Sequence, residues 1–222
     1  MTLFKLKSLE GKGMDHVLDM IISERIHLST KDMMNDPYEG VWNYLDEKEW
    51  GSAKKSLAKR LDAAEEFRKI INAQRFTCFV ESITNPLMWA HYANGFRGVA
   101  LEYACAAFHK CDIKKIKYCE PPKISKSQME KVIAGKSKPQ DMDILMRKFP
   151  EWDYEDEWRL HGTGDAQYVE KVKPQAIIFG VPRGDFDPKL VALREVAKKR
   201  HIKIGQLLRD DNCKKKYHVM YD

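Results

Sequence analysis

A chain of 222 residues with 43% hydrophobic and 32% charged residues has an ordinary globular balance. That excludes a disordered chain and leaves enough mass to bury a core without disulfides or a structural metal. A net charge of +6, from 39 Lys and Arg against 33 Asp and Glu, is too mild to define a nucleic-acid binder. The short basic runs Lys114-Lys115, Lys198-Lys199-Arg200 and Lys214-Lys215-Lys216 read as solvated faces, with attraction to a phosphate, a dinucleotide or RNA as the alternative. Five cysteines (Cys78, Cys105, Cys111, Cys119 and Cys213) form no CxxC pair, so they signal neither a disulfide framework nor a zinc ribbon and point to reduced thiols. No apolar stretch reaches bilayer length, and residues 1–10 hold no secretory apolar region. The expected location is therefore the cytoplasm, with no membrane partner.

The elements follow in chain order. Residues 3–7 alternate apolar and basic side chains and predict a first strand. Met14, Val17, Leu18, Ile21 and Ile22 recur at helical spacing. Residues 25–30 predict a second strand running into Asn35-Asp36-Pro37-Tyr38-Glu39-Gly40, which is turn chemistry. Residues 52–73 predict a long surface helix with a stripe of Ala53, Leu57, Leu61, Ala64 and Ile71. Residues 75–80 predict a strand, and Asn85-Pro86 predicts a helix start. Strands are expected at 98–103 and 116–119. Residues 123–150 look helical, polar and peripheral, with Gly135 separating two helices. Strands at 155–161 and 176–179, a helix from Asp187-Pro188 to about Arg200, and strands at 202–208 and 217–221 complete the chain. Helices and strands mix without strict alternation. The expected fold is therefore α/β mixed (α+β), one domain over 1–222 with a mixed, largely antiparallel sheet flanked by helices.

Side chains on a strand alternate faces. Along 155–161 that puts Trp158 and Leu160 on a core face and Glu155, Glu157, Arg159 and His161 on the other. Four ionisable groups in a row fit either a solvated face with cross-strand ion pairs or a polar cleft floor whose charges set one another's protonation. The turn holding Asp36, Tyr38 and Glu39 reads equally as local capping or as a ligand contact. Trp89, His91 and Tyr92 read as packed core or as ligand contacts. Cys78, between two aromatics, reads as an inert buried thiol, and a Cys78–His91 hydrolase has little in its favour.

Several segments together resemble one bacterial family, known as domain of unknown function 2971. They are Asn35-Asp36-Pro37-Tyr38-Glu39, Cys78-Phe79, Met88-Trp89-Ala90-His91-Tyr92-Ala93, Arg97-Gly98, Tyr154-Glu155-Asp156-Glu157-Trp158-Arg159-Leu160 and Ile177-Ile178-Phe179-Gly180. Val80-Glu81 departs from the Ser-Glu more usual in the family. The family name implies no activity. Glu155-x-Glu157 is in addition similar to the acidic pair of ADP-ribosyltransferases, with Lys5 and Thr77 in the order of those enzymes' earlier basic and Ser/Thr strands.

That resemblance implies NAD as substrate, Glu157 stabilising positive charge on the ribose, and Glu155 as general base on the acceptor, a protein or RNA. Lys5 or Arg159 would meet the pyrophosphate, Trp89, His91 or Tyr92 would orient the nicotinamide, and Tyr38 belongs to the same expected binding set. A toxin or phage-defence effector is the setting it suggests. The alternatives are a non-enzymatic nucleotide- or protein-binding module and a metal-dependent nuclease built on Asp36 and Glu157. The nuclease is disfavoured because Arg159 cannot give up a proton, and no metal is expected.

Overall fold

A computed structural model describes residues 1–45, 54–108, 111–162, 166–181, 187–210 and 217–222. Ala53 of the expected helical stripe and the run Lys214-Lys215-Lys216 lie outside them. In chain order the elements are β1 (Thr2–Lys7), α1 (Gly13–Ile22), β2 (Ile26–His27), β3 (Ser29–Thr30), β4 (Asn43–Tyr44), α2 (Lys54–Ala73), β5 (Arg75–Val80), α3 (Pro86–Tyr92), β6 (Val99–Ala104), β7 (Asp112–Lys115), β8 (Lys117–Tyr118), β9 (Lys123–Ile124), α4 (Lys126–Ile133), β10 (Arg147–Lys148), β11 (Glu157–His161), β12 (Tyr168–Val169), β13 (Ala176–Phe179), α5 (Pro188–Lys199), β14 (Lys203–Arg209) and β15 (Tyr217–Tyr221). The chain forms two compact units: residues 1–28, 77–113 and 154–222 make the first, and residues 29–76 and 114–153 the second.

The first unit is built on a mixed, mostly antiparallel sheet in the order β15-β14-β13-β6-β1-β5-β11-β7. β1 sits at its centre because its alternation serves two cores. Leu3 enters a cluster with Phe79, Leu101, Tyr103, Leu160 and Ile177, and Leu6 enters a second with Val80, Met88, Trp89 and Ala100. β6 runs antiparallel to β1 over its whole length, from Thr2 opposite Ala104 to Lys7 opposite Val99, and β13 lies antiparallel to β6 and parallel to β14. Helices α1 and α5 contribute Val17, Met20, Ile21, Leu193 and Ala197 to the first cluster.

Two glycines close this sheet. A Cβ on Gly98 would strike the carbonyl of Lys7, and one on Gly180 would strike the carbonyl of Phe96; only a residue without a side chain lets these backbones meet. Gly205 in β14 does the same for side chains: a Cβ there would sit 3.1 Å from atoms of Tyr221, Val219 and Ile178. Tyr221 crosses that gap and its hydroxyl reaches Glu102 Oε2 at 2.5 Å.

The second unit packs α2 against α4, with short pairings of β3 with the start of β5, β4 with β9 and β8 with β10. The buried face of α2 is Ala64, Phe67 and Ile71, while Leu57 and Leu61 of the expected stripe are exposed. Residues 123–150 also differ from expectation. Before the 3-10 turn that opens at Pro150, only α4 and a 3-10 turn at Pro139–Met142 are helical, and Met129, Val132, Ile144, Leu145 and Met146 are buried. This segment is core of the second unit and not a polar periphery. Gly135 does follow the end of α4, with φ +68°.

Candidate functional site

The candidate groups lie in the first unit, on three neighbouring strands, β1, β5 and β11: Lys5 and Thr77 on the sheet face of Leu3 and Leu160, and Glu157, Arg159 and His161 on the opposite face. Lys5 faces the same side as Leu3 and Lys7, opposite Leu101 of β6. Its Nζ donates to Thr77 Oγ1 at 2.6 Å and to the Cys78 carbonyl at 3.0 Å, and lies 5.3 Å from the centre of the Phe79 ring. Burial, with the Lys7 ammonium beside it, brings the Lys5 ammonium down to about 7, against opposing pulls from Cys78 and Glu157. Burial lowers Lys7 as well.

Glu155, Glu157, Arg159 and His161 are all buried, so the solvated-face reading of this strand is wrong. β11 begins at Glu157, and Asp156 before it has φ +46°, which interrupts the two-residue alternation between Glu155 and Glu157. Arg159 Nε donates to Glu157 Oε1 at 2.6 Å. Glu155, closing a 3-10 turn, accepts a 2.5 Å hydrogen bond from the Tyr92 hydroxyl. On the other side of the strand Leu160 is core, and Trp158 Nε1 donates to Glu81 Oε1 at 2.7 Å.

Helix α3 positions the aromatic set. The Asn85 side chain accepts from Leu87 N–H at its N-terminus and donates from Nδ2 to the Tyr154 carbonyl at 3.1 Å, tying the helix start to the segment that leads into β11. Trp89 is fully buried, stacked on Phe96, with Nε1 donating to the Ile83 carbonyl. It is a core residue here. His91 is exposed beside Tyr92 and Tyr154.

Tyr38 belongs to the second unit. It is 61% exposed, its N–H donates to Asp36 Oδ1, and its ring meets Phe149 edge-on. Asp36 and Glu39 are buried in that unit, as are Arg147 and Lys148. These two cations went unread in the sequence, where the apolar Ile144-Leu145-Met146 just before them was the available signal. Cys78, Cys105, Cys111 and Cys119 carry free thiols. Among the described residues no group of His, Cys, Asp and Glu is arranged to hold a metal ion, and no helix is long and apolar enough to cross a membrane.

A mixed α+β protein with a row of buried charged groups on a strand of its main sheet is the class these features define. Residues 88–160 match the model of a family described as "Protein of unknown function (DUF2971)". The matched segment holds Tyr92, Glu155, Glu157 and Arg159, and excludes Lys5 and Thr77. No curated protein and no solved structure matches the chain.

Proposed function

We propose that this protein is an NAD-processing enzyme of the ADP-ribosyl-transfer type. The observation that carries the reading is the buried acidic pair at β11, Glu157 engaged by Arg159 Nε at 2.6 Å and Glu155 held by the Tyr92 hydroxyl. A carboxylate with a guanidinium beside it can hold a dinucleotide and act on its nicotinamide–ribose bond, whereas Lys5 and Thr77 stand on the opposite sheet face, with Leu3, Phe79 and Leu160. Cleavage develops positive charge on the ribose, which the Glu157 carboxylate offsets. Arg159, on the same face of β11 as Glu157, meets the pyrophosphate. Glu155, oriented by the Tyr92 hydroxyl, takes the proton of a protein or RNA acceptor. A cytoplasmic toxin or phage-defence effector is the setting that fits such chemistry.

A second reading, a non-enzymatic nucleotide- or protein-binding module, is favoured by one fact: Glu157 is 2% exposed and engaged with Arg159. A catalytic carboxylate must meet substrate, so the enzymatic reading requires this pair to open on binding, and a binding module does not. Calorimetry with NAD on the wild type and Glu157→Gln, followed by a nicotinamide-release assay, separates the two. Binding by both proteins with release only from the wild type is the enzymatic result. Binding without release from either gives the module, and no binding at millimolar NAD removes NAD from both readings.

A further inference from the structure

The sheet of the first unit ends on β15, whose outer side meets no other strand among the described residues. The Asp222 N–H donates to the Ile204 carbonyl at 2.9 Å, and this fixes which groups point where. In an antiparallel ladder alternate residues turn to the same neighbour. His218 and Met220 therefore direct their backbone groups toward β14, as Asp222 does, and Tyr217, Val219 and Tyr221 direct theirs outward. Strands at a sheet edge are usually guarded by lysine, proline, a bulge or a covering element. Tyr217-His218-Val219-Met220-Tyr221 carries no Lys and no Pro, pairs with β14 in unbroken register, and leaves Met220 53% and Tyr221 45% exposed.

We propose that β15 pairs antiparallel with β15 of a second copy of this chain, across a two-fold axis at Val219. The strand is self-complementary in that arrangement. Rotation about Val219 sets Val219 against itself and Tyr217 against Tyr221, so every outward N–H and C=O of the three residues meets an outward group of the other copy. A shift by one residue would set outward groups against inward ones and lose the ladder. The other positions oppose His218 to Met220, with no Lys, Arg, Asp or Glu among the facing side chains. The interface is isologous and closes at two subunits, so it builds a dimer and not a fibre.

Light scattering after gel filtration of the full chain, over roughly 1 to 200 μM, reads the outcome. The wild type is expected to shift from its 25.9 kDa mass to twice that value as concentration rises. Val219→Pro removes one outward N–H and spares the inward ladder, and Met220→Lys places a charge on an exposed side chain; both are expected to remain monomeric. Amide exchange at Val219 and Tyr221 is expected to slow with protein concentration while that at Met220 does not change. A wild type that stays monomeric throughout overturns the proposal, as does a dimer that survives both substitutions. Amides at Val219 and Tyr221 that are protected only by an added extended peptide would assign the edge to another occupant.

Discussion

Arg159 donates from Nε to Glu157 Oε1 at 2.6 Å, two residues apart on one strand, with side chains 0% and 2% exposed. Such a pair is costly to form and costlier to halve, because removing one partner leaves a charge with its desolvation uncompensated. Arg159→Met alone is expected to destabilise by about 3–5 kcal/mol. Adding Glu157→Met should recover most of that loss. Urea unfolding of the two single variants and the double variant measures the recovery. A double variant as unstable as the sum of the singles would mean that the two residues do not act as a pair.

Lys5 gives the fold a pH dependence of definite sign. Its ammonium is brought from the usual 10.5 to about 7 in the folded protein, so between these values the unfolded chain binds the extra proton. Stability contributed by this position therefore rises with pH from about 7 to 10.5, and below 7 the full penalty is present. Lys5→Met is expected to flatten this slope and to stabilise the protein near pH 6. After allowance for partial exposure the gain is about 1–2 kcal/mol. Denaturation midpoints at pH 6, 8 and 9.5 for both proteins test the slope.

Asn85 joins a helix cap to a tertiary tie. Asn85→Ala is expected to cost about 1–2 kcal/mol, and Asn85→Ser, which can still cap, should restore only part of it. Thermal unfolding of the two variants separates the cap from the bond to the Tyr154 carbonyl.

At Gly180 the obstacle to a side chain is the Phe96 backbone carbonyl, which cannot swing away as a side chain can. Gly180→Ala is expected to fall at the upper end of the ~1–3 kcal/mol seen for overpacking. Gly205→Ala meets only side-chain atoms and should cost less. Their melting temperatures should rank accordingly.

Periodicity made the strands of the first unit legible. Residues 75–80, 176–179 and 217–221 are strands over the expected spans, because each is a short run of apolar or β-forming residues between turn signals. The second unit was poorly legible. Its polar composition between 123 and 150 concealed buried Met129, Val132 and Leu145, and the stripe on α2 was displaced because Leu57 and Leu61 are exposed where Phe67 is buried. For the site, the alternation of β11 was readable from Glu157 onward, but the left-handed Asp156 breaks the pattern that placed Glu155 with it. The Tyr92–Glu155 bond spans 63 residues, and no local signal announces a contact of that separation.

The centre of the first unit's sheet joins residues far apart in the chain: Thr2 lies opposite Ala104, and Phe4 lies opposite Val80. β11, the neighbour of β5, arrives only at residue 157. Chain-closure entropy must be met before these pairings stabilise anything, so folding of this unit is expected to be slow for its size, on the millisecond-to-second scale of non-local topologies. During synthesis β1 waits for about a hundred residues before β6 emerges to cover it. For roughly 5–20 s at typical elongation rates the apolar side chains of β1, Leu3 and Leu6 among them, lack the β6 partner that pairs with this strand in the fold.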